Sequence, residues 1–204
     1  MTKADPFNPK SDYTVPKGDS KYLKLEKGQT EFLPLASPIL GFEYWNTDNK
    51  PVRLEEQPTN PATLPGIRAT EDDNGNAQYR VNHFWAFPVI DCNDGKVKIL
   101  EITQKTIQND IRAYTKNAKW GSPILKYTFT VNREGDKFET KYTVMANPAT
   151  EVPKEWLAEW KRVQDNGFNL NALFTGADPF SADIPDLVEE VVEEVELDTA
   201  EPND

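Results

Sequence analysis

The sequence predicts a mainly β fold of five strands with one helix between the third and the fourth. Three observations carry this. Apolar and polar residues alternate in three stretches, from Lys21 to Trp45, from Gln78 to Thr103 and from Ile124 to Met145. Turn sequences break the second and third stretches into hairpins: DCNDG at 91–95 and NREGD at 132–136. A single helix-period segment, TQKTIQNDIRAYTKNA at 103–118, lies between those hairpins. The resulting order, β–β–β–α–β–β, is the connectivity of a five-stranded Greek-key OB barrel.

Taken in order, residues 1–19 are polar and rich in Pro, Lys and Asp, and read as a flexible arm. Residues 20–150 form the expected barrel domain. Its first strand region is KYLKLEKGQTEFLPLAS followed by ILGFEYWN. Residues 46–78, with Pro51, Pro58, Pro61 and Pro65, read as one long loop. In QYRVNHFWAFPVI, the residues Val81, His83, Trp85, Phe87 and Val89 share one face, and Phe84, Ala86 and Ile90 the other. Thr103 is the expected helix N-cap, and Ile107, Ile111 and Tyr114 form the buried stripe. Trp120 reads as a plug between helix and strand. Leu125, Tyr127, Phe129, Phe138 and Val144 are expected in the core. A helical extension spans 151–177, with Pro153 at the first helical position, Gly167 at the stop, and Trp156, Trp160 and Val163 as its stripe.

The net charge of −11 conceals an asymmetry. From Asp178 onward there are 11 acids and no basic residue, which leaves 23 acids against 23 Lys plus Arg in residues 1–177. The body is therefore neutral and residues 178–204 form an acidic tail, a pattern associated with nucleic-acid or membrane partners. Cys92 and His83 are the only residues of their types, so no Cys/His zinc site or internal disulfide is expected. No cofactor is implied. No secretory signal and no apolar run of spanning length is recognisable, so the expectation is a soluble, intracellular chain.

An enzyme is not the leading expectation. Phosphate-loop, dinucleotide, nucleophile-elbow and zinc-protease motifs are absent from the sequence. Asp91 and Asp94 flank Cys92 and should disfavour its thiolate. Glu55, Glu56, Glu71, Asp72 and Asp73 could hold a divalent cation, but they lack ligand periodicity and read as a solvated loop. Single-strand binding fits better, because it needs only rings for base stacking and Lys or Arg for phosphates. The candidate rings are Tyr44, Trp45, Tyr79, His83 and Trp85. The candidate cations are Lys50, Arg53, Arg80, Lys96, Lys98 and Lys126. The sequence leaves open whether Trp45 and Trp85 stack or pack.

Several elements are similar to the OB-fold single-stranded DNA-binding proteins of tailed phages. They are Trp45 with KPVR at 50–53, HFWAFPV at 83–89, KVKILEIT at 96–103, KWGSP at 119–123, and ETKYTV at 139–144 before Asn147-Pro148. Together they span about residues 20–150. The resemblance implies a non-enzymatic protein that coats single strands in phage replication, recombination and repair, in the host cytoplasm. It also implies an acidic tail that recruits replication or recombination proteins. The chain departs from some members in lacking a zinc site and in having a neutral arm. The alternative is a protein–protein adaptor or virion accessory protein on a barrel scaffold. The residues leave DNA versus RNA open.

The tail carries its own pattern. Leu187, Val188, Val191, Val192 and Val195 recur at helical spacing among glutamates. A lone helix there would be marginal, since Val is a weak helix former and the like charges repel. The expected behaviour is disorder alone and folding on a partner's basic, apolar groove.

Overall fold

A computed structural model of the chain describes residues 20–148 and 150–180. It is mainly β. A seven-stranded antiparallel sheet is joined by a separate two-stranded hairpin and three helices.

The strand region predicted before residue 46 is one chain with a bend. β1 (Gly28–Pro34) and β2 (Ile39–Trp45) flank Leu35–Pro38. β1 pairs first with β8 (Phe129–Glu134) and then with the end of β6 (Asn82–Asp91), while β2 pairs with the start of β6. One edge of β6 therefore takes both halves of the bent strand, and its other edge takes β7 (Val97–Ile102). β8 pairs with β9 (Lys141–Ala146). The sheet does not close into a barrel among the described residues, because no pairing joins β7 to β9. The outer edge of β7 is instead met by Lys21–Leu23. Leu23 N donates to Ile99 O, and Ile99 N donates to Lys21 O, both at 2.9 Å.

The expected 46–78 loop is mostly ordered. Asn46 Oδ1 accepts from Lys50 N, and Asn49 takes a left-handed backbone (φ 57°), which makes a tight turn into β3 (Pro51–Leu54). A 3₁₀ turn at Pro61–Thr63 follows. The chain then forms the arm β4 (Ala69–Glu71) and β5 (Ala77–Tyr79). At its tip the Asp72 carboxylate accepts from the backbone N–H groups of Asn74 and Asn76. Those bonds, together with the Asn76 side chain, hold its pKa below the ordinary value. Asp72 thus braces a turn.

Helix α1 (Lys105–Lys116) lies on one face of the sheet. Its Ile107 and Ile111 pack with Phe32, Phe87, Val89 and Leu100. α2 (Lys154–Asp165) and α3 (Ala172–Thr175) cover the other face. Trp160 and Val163 pack there with Leu33, Ile90 and Val97, and Leu173 packs with Phe84, Ala86 and Ile99. The two predicted faces of β6 are both apolar because both are covered.

Several expectations are corrected. The residue preceding α1 is Gln104, not Thr103, and it makes no side-chain cap bond. Pro153 is the cap of α2 and precedes its first helical residue. Leu125 is not a strand residue. It adopts a left-handed backbone (φ 52°) in a turn where Lys126 N and Tyr127 N both donate to Pro123 O. Phe138 is not core: it sits on a 3₁₀ turn at Lys137–Glu139 and is wholly exposed. Tyr127, Phe129 and Val144 are buried, and Trp120 lies edge-on to both Tyr114 and Tyr127. Residues 178–180 belong with the body rather than the tail, since Asp178 pairs with Lys21 and Phe180 lies edge-on to Phe168. Both the arm at 1–19 and the stripe Leu187, Val188, Val191, Val192 and Val195 lie outside the described residues. Among the described residues, no helix is long and apolar enough to cross a membrane.

Candidate nucleic-acid interface

Directly opposed residues of an antiparallel ladder project to the same side. In the β2–β6 ladder Leu40 opposes Trp85, and Phe42 opposes His83. The four side chains therefore share one face. Leu40 is 54% exposed. Phe42, His83 and Trp85 are half-buried. The Phe42 and His83 rings meet edge-on, 5.5 Å between centroids. Further along β6, the same face is closed by α1 over Phe87 and Val89.

The edge of that cover is set by Gln108. Its Nε2 donates to Ile102 O at 2.8 Å and to His83 O at 3.4 Å. Tyr114 marks the opposite flank of α1, against Trp120 and Phe129. On a helix of 3.6 residues per turn, Lys105, Arg112 and Lys116 form one stripe, adjacent to Gln108 and Thr115 and away from Tyr114. All three are exposed. Gln108, which borders this stripe on the helix, bonds the His83 carbonyl, so the flank of the stripe is turned toward the His83 end of the open face. Rings and apolar side chains flanked by cations can stack bases and neutralise phosphates at once.

The predicted site residues divide into groups. His83 and Trp85 belong to this face. Lys126 is exposed on the turn after α1. Trp45 is 41% exposed, but alternation directs it to the opposite side of β2 from Leu40 and Phe42. It stands at the root of the β4–β5 arm, where Arg68 N donates to Trp45 O at 2.8 Å. Lys50, Tyr79 and Arg80 are exposed around that arm. Lys96 is exposed at the far end of β6, in a depression lined also by Glu159 and Arg162.

Three predicted contacts are spent internally. Tyr44 is buried, and its hydroxyl donates to Pro65 O at 3.1 Å. The Arg53 side chain is 8% exposed; it donates to Glu101 at 2.7 Å and lies 3.5 Å from Glu43. Lys98 donates to Asp91 at 2.6 Å and to Asp94 at 2.5 Å. Burial alone would lower its pKa, but hydrogen bonds and charge from those two carboxylates outweigh this and raise it. In each case a cation or ring that alternates with apolar neighbours faces a buried acid or carbonyl, which spacing alone does not reveal.

Conversely, sequence reasoning missed Leu40, Phe42 and the α1 stripe. The signals existed: Leu40 and Phe42 alternate in ILGFEYW, and Lys105, Arg112 and Lys116 are spaced by seven and four.

The Cys92 thiol is pushed up to about 12, chiefly by burial and then by the charges of Glu31 and Asp91. It is therefore protonated at neutral pH and a poor nucleophile. Among the described residues, no three His, Cys, Asp or Glu side chains gather as metal ligands. Compared with family models, curated proteins and solved structures, the chain gives no significant match in any of the three.

Proposed function

We propose that the protein is a sequence-tolerant, non-enzymatic single-stranded DNA-binding protein of the OB type. In this reading the bent β1–β2 chain is the first barrel strand, β6 and β7 are the second and third, and β8 and β9 the fourth and fifth. α1 then occupies the position between the third and fourth strands. The observation that carries the function is the open face of Leu40, Phe42, His83 and Trp85 beside the basic stripe Lys105, Arg112 and Lys116. Lys126 and Arg80 extend the cationic border. The resemblance to phage single-strand binders adds the roles in replication, recombination and repair, and a host-cytoplasmic location. The acidic tail is the proposed recruiter of partner proteins. Its deletion should start after Phe180, because Asp178 and Phe180 hold the body.

The test is titration with oligo-dT, read by tryptophan fluorescence, alongside gel shifts comparing single- with double-stranded DNA and DNA with RNA. Quenching that weakens steeply with salt is expected, because each neutralised phosphate releases counterions. No binding at low salt, with or without the tail, would refute the proposal. One observation favours the adaptor reading instead. Leu40 cannot stack like a ring, yet it is the most exposed member of the face. A face that binds an apolar peptide and ignores oligonucleotide would establish that alternative.

A further inference from the structure

Beside the proposed face is a cavity of about 360 Å³, between the β1–β2 bend, α1 and the segment following α1. Its walls are apolar: Trp85, Phe87, Phe129, Ile111, Ile124 and Pro38. The polar groups at its lining are the hydroxyls of Ser37, Thr115 and Ser122. No carboxylate lines it, whereas three further depressions of similar or larger size each include Glu or Asp. Arg112 and Lys116 neighbour Thr115 on α1, and Lys126 follows Ile124 by two residues. An uncharged, ring-lined cavity with cations near its walls suits a flat apolar group carried on a polyanion. A free acidic or zwitterionic ligand would lack a charged partner within the cavity.

We infer that this cavity is a nucleobase pocket, which takes one base splayed out of a strand lying on the Leu40–Trp85 face. The inference rests on the single-strand-binding reading. Trp85 connects the two sites, since it opposes Leu40 on the open ladder and also forms a wall of the cavity. A strand crossing the ladder therefore passes the wall the pocket shares. The volume lies at the low end of the roughly 300–1,000 Å³ of small-molecule pockets, a size for one base rather than a length of peptide. Phe87 and Phe129 close the floor of the cavity as buried core rings, so the ring surface open to a base is that of Trp85. Ser37 and Ser122, both with exposed surface, can donate to or accept from a base edge. Hydroxyls that both donate and accept do not select among bases, which fits sequence-tolerant binding.

Two variants fill the cavity from different walls: Thr115→Phe from α1 and Ser122→Trp from the segment after it. Each is compared with the unaltered protein for binding to oligo-dT and to an abasic deoxyribose-phosphate chain of equal length, with thermal melting as the check on fold. The expected result is at least about a fivefold loss of oligo-dT affinity, the smaller end of one base–ring contact. Binding of the abasic chain and the salt dependence should not change. Unchanged oligo-dT affinity in a folded variant overturns the pocket while leaving the single-strand reading intact. Failure of the unaltered protein to bind oligo-dT overturns that reading itself. Photo-crosslinking of the unaltered protein with iodouracil-substituted oligo-dT adds a measurement free of folding effects. Crosslinks at the rim residues Ser37, Pro38, Ser122 or Ile124 support the pocket, and crosslinks confined to Leu40, Phe42, His83 and the shared Trp85 reject it.

Discussion

Arg53 on β3 donates a 2.7 Å hydrogen bond to Glu101 on β7, reaching across β2 and β6. Its guanidinium also lies 5.9 Å from the Phe84 ring centre and 3.5 Å from Glu43. The cation thus serves two poorly solvated carboxylates, not a phosphate. Arg53→Ala should destabilise the fold by about 3–5 kcal/mol, since the acids lose their partner. Urea unfolding measures this. Under conditions where the variant is folded, oligo-dT affinity should stay within about twofold of the unaltered protein; a selective loss of affinity without loss of stability would restore Arg53 to the binding surface.

Glu43 gives the same cluster a pH dependence. Burial, and then the charge of Glu101, raise its pKa above the ordinary 4.5, while Arg53 opposes them. The folded protein therefore binds this proton more tightly than the unfolded chain. The stabilisation it contributes is full below the unfolded value and declines as pH rises through the raised folded value. Glu43→Gln should remove that decline and be at least as stable at neutral pH. Urea midpoints at pH 5 and pH 7.5, compared between the two proteins, test the sign. Identical pH dependence would mean that Glu43 titrates alike in both states.

Much of the framework was legible because it depends on local pattern. The hairpin turns at 91–95 and 132–136, the stripe of α1 and the two faces of β6 all follow from alternation, helical period and turn chemistry. The site was legible only in part. That His83 and Trp85 share a face follows from their alternation in a ring-rich strand. Arg53 and Lys98 were misjudged because their carboxylate partners come from other strands or from across a turn. Tyr44 was misjudged because the carbonyl that accepts its hydroxyl lies 21 residues away. Leu125 broke its strand because Pro123 O draws two successive N–H groups into a turn, a backbone preference that outweighs side-chain alternation. Trp45 and Trp85, which sequence proximity to strands could not separate, project to opposite sides of β2 and β6.

Cys92 should be inert in the folded protein. With its pKa at about 12, the thiolate fraction at pH 8 is smaller than that of an ordinary cysteine by about 100-fold or more. Reaction with a disulfide reagent such as DTNB should be slow in buffer and fast in urea. Equal rates in the two would show that the thiol is solvated in the native state and that burial does not control it.

The α1 stripe and Lys98 separate the two kinds of basic residue. Charge reversal of Lys105, Arg112 and Lys116 to Glu touches exposed positions with no ion pair among the described residues, so the fold should persist. Single-strand affinity should drop at least about tenfold near 100 mM salt. The slope of log affinity against log salt should become shallower by about 2, because each neutralised phosphate of a single strand contributes about 0.7. Lys98→Met should do the reverse. Its side chain is 13% exposed and holds Asp91 and Asp94 together across the β6–β7 turn. Losing it should lower the melting temperature and leave the salt slope unchanged. If the Lys98 variant flattened the slope while the stripe variant kept it, the strand would run past the β6–β7 turn, at the opposite end of β6 from His83.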